Sequence, residues 1–325
     1  MTLPRRLCHS RAGGNPSSMI FHYYGHGSPE IIENSIFDVA SVTKSIPTFS
    51  LAVLLINPGK LYLDDQMIKY IPEFANSDRE NVTISHLLSQ TLSYSFALAE
   101  QKDKSPDKIL NHIFTAEFKE PPGSSYAYSN ATSILLGIVV ERIMGDTLDN
   151  LGRKYFFEPL GMARTTFWPL EHFTKEEIVP TEIDPWRGRE IRGEVHDESA
   201  WKLQQKMVVG SAGLFSTVPD LLNFLEMLLG PVPPFVKGRG GILPHNYGWE
   251  LNQPWMGNLR SPQTYGKTAF TGCSVTVDPE KGFGIVLLSN TTYPHRRPLE
   301  EHQRVINLLR QQLADVVWTN SFAVG

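Results

Sequence analysis

The sequence predicts an α+β fold: one mainly antiparallel sheet flanked by terminal helices, with a helical subdomain inserted into it. Three observations carry this. Short β-patterned runs lie toward both ends of the 325-residue chain, the stretch 64–229 is mostly helical in pattern, and Asp278-Pro279-Glu280-Lys281-Gly282 joins two β-runs as a hairpin.

Residues 1–18 are rich in Gly, Pro, Ser and Arg and read as a loose arm, so the folded domain is expected over 19–325, with the helical subdomain at about 62–230. Residues 19–24 read as a short strand, part of a first sheet segment at about 19–36. The apolar stretch from Ser41 to Ile56 ends at Asn57-Pro58-Gly59 and reads as a helix. Pro47 lies inside it and should kink it, because a proline removes one helical hydrogen bond at a cost of about 3 kcal/mol. Further helices are expected at 81–90, 105–117, 131–144, 148–157 and 217–229, with a turn at 121–125. After Gly230-Pro231-Val232-Pro233-Pro234 the pattern changes to strands at 247–251, 263–268, 273–278 and 283–289, within a second sheet segment at about 245–292. An amphipathic helix at about 298–316 closes the chain.

With 41% hydrophobic and 20% charged residues the chain can bury a sizeable core. Thirty basic against 34 acidic side chains, with no run of five like charges, disfavour nucleic acid or an anionic membrane surface as partner and leave a small molecule or peptide. Cys8 and Cys273 are too few for a disulfide framework or a thiolate zinc site, and Cys273 reads as a small buried thiol. Apolar stretches such as 49–56 fall far short of the ~18 residues of a membrane span, and no apolar run follows Arg5-Arg6, so the cytoplasm is the default location. The ten histidines show neither H-x-H-x-D nor H-E-x-x-H spacing, so no metal or other cofactor is expected; His196 reads as structural or pocket-lining. There is no G-x-S-x-G either.

Three motifs point to nucleophilic chemistry. Ser41-Val42-Thr43-Lys44 has the S-x-x-K form, which on a helix puts hydroxyl and amine on one face; a buried, less basic amine can take the serine proton, and a helix N-terminus offers N–H groups and a positive dipole end to an oxyanion. With 25 serines and 14 lysines about one such match arises by chance, and this chain has three. Ser105-Pro106-Asp107-Lys108 and Ser199-Ala200-Trp201-Lys202 read as helix caps or solvated faces, whereas Ser41 has an apolar segment directly behind it. Tyr128-Ser129-Asn130 is the only Y-x-N in the chain: Ser129 or Asn130 can simply cap the next helix, or the phenol can shuttle protons. Tyr265-Gly266-Lys267-Thr268-Ala269-Phe270 is not a phosphate loop, since Ser261 stands where the first glycine belongs. A strand of this kind can bind substrate backbone and offer a cation and an N–H.

In this order the motifs resemble those of the β-lactamase-related serine hydrolases, which include class C β-lactamases, low-molecular-mass penicillin-binding proteins and esterases of the same fold. The likeness extends over roughly 35–297, through Phe37-Asp38-Val39-Ala40, Pro122-Gly123-Ser124-Ser125-Tyr126, Phe157-Glu158-Pro159-Leu160-Gly161-Met162, Gly193-Glu194-Val195-His196-Asp197-Glu198 and Ala212-Gly213-Leu214-Phe215-Ser216-Thr217. It implies Ser41 as nucleophile, Lys44 and Tyr128 as the proton-transfer pair, and Asn130 as a partner of Lys44 and of the substrate amide. It further implies that Lys267 holds Tyr128 electrostatically and binds substrate, with Thr268, Ala269 and Phe270 along the substrate and the N–H groups of Ser41 and Phe270 as the oxyanion hole. Three departures bear on substrate range: Ala269 in place of glycine, Ser211 where the nearest relatives tend to have histidine, and Gln90-Thr91-Leu92-Ser93 in place of His-Thr-Ser-Gly. Residues 1–36 are also short for the N-terminal helix and extra strand of such relatives, which would expose a sheet edge. The expected activity is hydrolysis of an ester, amide or β-lactam carbonyl. Acyl transfer, D-peptide cleavage and a binding protein that kept the fold without turnover are the alternatives.

Overall fold

The computed structural model describes residues 31–56, 58–75, 79–230 and 245–321. The expected arm at 1–18, the strand at 19–24 and the turn at 231–234 lie outside the described residues.

In chain order the strands are β1 (Phe37–Asp38), β2 (Glu182–Asp184), β3 (Arg189–Ile191), β4 (Phe215–Ser216), β5 (His245–Asn246), β6 (Trp249–Leu251), β7 (Tyr265–Thr268), β8 (Ser274–Asp278) and β9 (Phe283–Leu287). The α-helices are α1 (Ser50–Ile56), α2 (Ile84–Ser89), α3 (Pro106–Thr115), α4 (Asn130–Met144), α5 (Leu148–Gly152), α6 (Pro169–His172), α7 (Glu198–Gln204), α8 (Val218–Leu229) and α9 (Leu299–Ser321). β5 to β9 form one antiparallel sheet in sequence order, and β1–β4 and β2–β3 form two short antiparallel ribbons. This is an α+β architecture with helices on both faces of the sheet.

The alternation of β9 explains the layering. Phe283 packs with Ala314, Val317 and Trp318 of α9, with Ile285 beside them, while Gly284 turns to the opposite face, where Leu225 of α8 fills the space a side chain would take. α4 is buried continuously from Ala131 to Val140, Thr132 and Ser133 included, as expected of a helix that is mostly hydrophobic all round.

The segment after Ser41 departs from a single kinked helix. Lys44–Phe49 forms a wide π-type turn in which Ile46 leaves helical geometry (φ −125°, ψ 107°), and regular helix begins only at Ser50. Pro47 is the cause: it lacks an N–H and crowds the residue before it out of the α region. The freed Ser45 carbonyl is satisfied locally by Ser50 Oγ, which donates to it at 2.8 Å, while Ser45 Oγ donates to the distant Gly248 carbonyl at 2.7 Å. Val42 and Thr43 are nevertheless helical, so Ser41 stands directly before the first turn, as the sequence leads one to expect, and the interruption comes only at Ile46.

That second bond docks the β5–β6 hairpin onto the Ser41 segment. Residues 247–248, expected in a strand, form the hairpin turn instead; Gly248 has φ +81°, and a Cβ there would lie 2.3 Å from Cγ of Phe49. Gly210 makes the second close approach, since a Cβ on it would lie 2.4 Å from the Ser133 carbonyl oxygen of α4.

Candidate active site

Ser41 follows a strained turn. Ala40 is held at φ +42°, a left-handed conformation that costs a non-glycine residue roughly 1–2 kcal/mol. The buried Asp38 of β1 compensates: its Oδ1 accepts the Ala40 N–H at 2.8 Å and its Oδ2 the His196 N–H at 2.8 Å. The Asp38 carbonyl accepts from Thr271 Oγ1 at 3.0 Å, which ties the end of β7 to the serine turn. Burial pushes the Asp38 carboxyl above its ordinary pKa, against the lowering effect of the His196 N–H.

Around the Ser41 hydroxyl the geometry is tight. Tyr128 Oη lies 2.7 Å from Ser41 Oγ, and Lys44 Nζ donates to the same oxygen at 3.0 Å and to the Ser211 carbonyl at 2.7 Å. The Tyr128 ring, half open to solvent, stands between two ammonium groups, Lys44 Nζ at 5.0 Å and Lys267 Nζ at 4.9 Å from its centroid. Burial pushes Lys44 below the usual lysine range, and Lys267 lowers it further while Tyr128 pulls the other way. For Tyr128 burial acts upward, but Lys44 and Lys267 outweigh it and hold the phenol below its ordinary value.

Lys267 itself is buried, and its pKa is raised: burial acts downward and the Glu250 carboxylate, 3.0 Å away, outweighs it. Glu250 sits on β6 opposite Gly266 of β7. Its Oε1 also accepts the Thr268 N–H at 3.2 Å and the Thr268 hydroxyl at 2.8 Å, and its Oε2 accepts from Trp255 Nε1 at 2.9 Å. Burial raises the Glu250 pKa, but Lys267 and Thr268 prevail and hold the carboxyl at about 2.

Asn130, expected to reach Lys44, instead donates to Asp197 Oδ2 at 3.0 Å, and the lysine's second contact is the Ser211 carbonyl. Asp197 is fixed as the N-cap of α7, its Oδ1 accepting from the Ala200 N–H and the Ser199 hydroxyl. Ser129 caps α4 by accepting the Ala131 N–H at 3.2 Å, so the bland reading of this tripeptide holds beside the Tyr128 contact. Ala269 is buried in the main core, its N–H donating to the Cys273 carbonyl at 2.9 Å. Phe270 is partly exposed, and neither its N–H nor that of Ser41 has a hydrogen-bond partner among the described residues. Cys273 is a buried thiol, pushed up to about 11 by burial.

The turn at 269–273 is braced from α9. Arg310 donates to the carbonyls of Ala269, Gly272 and Cys273 at 3.2, 3.0 and 2.9 Å, and His302 Nε2 lies 2.9 Å from the Phe270 carbonyl. On the opposite wall the Gln90 carbonyl accepts the Ala127 N–H at 2.8 Å, so the segment 90–93 positions the loop that carries Tyr128. Asp38, Asp197, Glu250 and Arg310 went unassigned in the sequence reading. No helix of the described residues is long and apolar enough to cross a membrane, and no cluster of three His, Cys, Asp or Glu among them could hold a metal ion.

A serine, a lysine and a tyrosine meeting between a helical lobe and the end of an antiparallel strand define a class of serine hydrolases. The chain belongs to the beta-lactamase family, whose family model matches residues 17–309. A relative from Escherichia coli strain K12 named "Putative D-alanyl-D-alanine carboxypeptidase" is 31% identical over 319 residues, covering 84% of this chain and 72% of the relative. Among solved structures, EstCE1, described as a hydrolase with promiscuous acyltransferase activity, shares the fold at a TM-score of 0.62 and 20% identity, covering 86% of each chain. The octameric penicillin-binding protein homologue from Pyrococcus abyssi does so at 0.62 and 22%, covering 87% of this chain and 68% of its own.

Proposed function

We propose that the protein hydrolyses an ester, amide or β-lactam carbonyl through an acyl-enzyme on Ser41. The observation that carries this is the convergence of Tyr128 Oη and Lys44 Nζ on Ser41 Oγ at 2.7 and 3.0 Å. With the amine and phenol both held below their ordinary pKa values, one of the pair is deprotonated at lower pH than an isolated lysine or tyrosine and takes the serine proton as Oγ bonds to the carbonyl carbon. The oxyanion forms against the unengaged N–H groups of Ser41 and Phe270. Collapse breaks the bond to the leaving group, which takes up the proton from Tyr128. Water then gives a proton to Tyr128 as its oxygen bonds to the acyl carbon, and the acid leaves as the bond to Ser41 Oγ breaks and Oγ takes that proton back. Lys267 keeps its positive charge beside Tyr128 and stabilises the phenolate whenever it forms, and no cofactor takes part.

Support comes from the named activity of the Escherichia coli relative and from the description of EstCE1 as a hydrolase, both acyl-group chemistry. The test is steady-state hydrolysis of a reactive aryl ester by the parent chain and by Ser41→Ala and Lys44→Met. Loss of activity by about 10²–10⁴ is expected in Lys44→Met, the range typical of removing a positioned proton acceptor, and a loss of at least that size in Ser41→Ala, which lacks the nucleophile. Undiminished turnover in Ser41→Ala refutes it. Acyl binding without turnover in the parent chain favours the binding-protein alternative.

A further inference from the structure

We propose that Arg310 on α9 is a positioning residue for the oxyanion hole: it fixes and polarises the peptide group that offers the Phe270 N–H. This rests on the acyl-enzyme reading above and adds to it a residue that acts from behind the site, through the backbone, without meeting the substrate.

The Ala269 carbonyl and the Phe270 N–H belong to one peptide unit, and because that unit is trans they point in opposite directions. Arg310 Nη2 donates to the carbonyl at 3.2 Å, so α9 grips one end of the unit. The other end, the Phe270 N–H, has no hydrogen-bond partner among the described residues. The same Nη2 donates to the Gly272 and Cys273 carbonyls at 3.0 and 2.9 Å. Three carbonyl oxygens gathered on one point repel one another through their partial negative charges, and a cation between them keeps the turn closed. Arg310 is only 6% exposed, and its Nη1 donates to Asn307 Oδ1 at 2.8 Å, so every acceptor it reaches among the described residues is a neutral oxygen. Burial lowers the guanidinium to about 10, with Glu250 and Cys273 acting the other way, which leaves it charged at neutral pH. A hydrogen bond from a cation is stronger than one from a neutral donor and draws electron density along the amide, so the N–H at the far end becomes a better donor to an oxyanion. His302, about two turns earlier on α9, holds the next peptide unit, its Nε2 lying 2.9 Å from the Phe270 carbonyl. On the serine side Thr271 Oγ1 donates to the Asp38 carbonyl at 3.0 Å, so the turn is anchored from both directions and its free N–H is preorganised.

The experiment compares kcat/KM for phenyl butyrate and for O-phenyl thiobutyrate, its analogue with C=S in place of C=O. Sulfur is a weak hydrogen-bond acceptor, so the thionoester draws little help from the oxyanion hole. The parent chain should prefer the oxygen ester by about 10² or more, the size of one lost oxyanion donor. Arg310→Met should lower kcat/KM for the oxygen ester by about 10–100-fold and for the thionoester far less, so that the ratio narrows by about tenfold or more. Arg310→Lys, which restores a cation, should lie between the parent chain and Arg310→Met. The ratio does not depend on how much of a variant is folded, so a poorly folding variant is read from its soluble fraction. A fall of both substrates by one factor, which a merely structural role predicts, overturns the proposal, as does undiminished turnover of the oxygen ester by Arg310→Met. If the parent chain turns over phenyl butyrate without acylating Ser41, the acyl-enzyme reading falls and this proposal with it.

Discussion

Removing the charge of Glu250 should change how stability depends on pH, in a direction and size set by its surroundings. In the folded chain its carboxyl is held at about 2, against 4.5 for an ordinary glutamate, by Lys267 and Thr268. At 1.36 kcal/mol per pKa unit the ionised form contributes about 3 kcal/mol to the folded state. Because the folded pKa is depressed, that contribution is complete above pH 4.5 and fades as pH falls toward 2; about 2 kcal/mol of it is gone by pH 3. The assay is urea unfolding of the parent chain and of Glu250→Gln between pH 7 and pH 3. The gap between them should be widest near neutrality and narrow by about 2 kcal/mol at the acid end. A gap that stays constant with pH, or widens on acidification, refutes the assignment of Glu250 as a buried ionised partner of Lys267. Lys267→Met supplies a check, since breaking a buried pair by removing one member costs about 3–5 kcal/mol, and the double variant with Glu250→Gln should recover part of that loss.

Tyr128→Phe should slow ester hydrolysis by about 10²–10⁴ in kcat while the fold is kept, because the ring is half exposed and only its hydroxyl reaches Ser41; unchanged kcat counts against its proton-transfer role. The pH–rate profile of the parent chain should rise below the ordinary 10.0 of tyrosine and 10.5 of lysine, since both groups are depressed, and Lys267→Met should move that rise to higher pH by removing a cation from beside each. An unmoved profile refutes the electrostatic role of Lys267. Gly210→Ala places a methyl 2.4 Å from the Ser133 carbonyl and 2.6 Å from Thr48 Cγ2. It should cost about 1–3 kcal/mol, read as a lowered Tm, and reduce kcat with it, because the adjacent Ser211 carbonyl holds Lys44. A variant with parental Tm and kcat contradicts that coupling.

What the sequence made legible was what short-range pattern encodes. Ser41 and Lys44 are one turn apart, and Tyr128 precedes a helix whose cap is plain in the residues. The β8–β9 hairpin is written in Asp278-Pro279-Glu280-Lys281-Gly282, and α3, α4 and α8 follow their apolar periods to within two residues at each end. The misplacements have tertiary causes. Residues 263–264 read as strand because Thr264 is β-branched, yet its hydroxyl and that of Ser261 bond the buried Asp278 carboxylate in the loop before β7. Residues 148–157, by contrast, are helical throughout as expected, α5 passing after Gly152 into a π-helical turn over Arg153–Phe157, and a Cβ on Gly152 would meet Pro47 Cγ at 2.9 Å. The supporting groups stayed hidden for a related reason. Glu250 is one acidic residue on a strand until β7 pairs with β6, Arg310 is one of many charges on α9, and Asp38 shows its use only when Ala40 adopts a left-handed turn. Nothing within a few residues of any of them signals its partner.

The proposed chemistry requires that Ser41 Oγ becomes acylated. Brief exposure to a reactive aryl ester at mildly acidic pH, where deacylation is slowed, followed by proteolysis and tandem mass spectrometry, reads this directly. One acyl group on the peptide containing Ser41, absent in Ser41→Ala and absent from the peptides bearing Ser105 and Ser199, is the predicted result. An acyl group on another side chain, or turnover of the ester with Ser41 unmodified throughout, contradicts it.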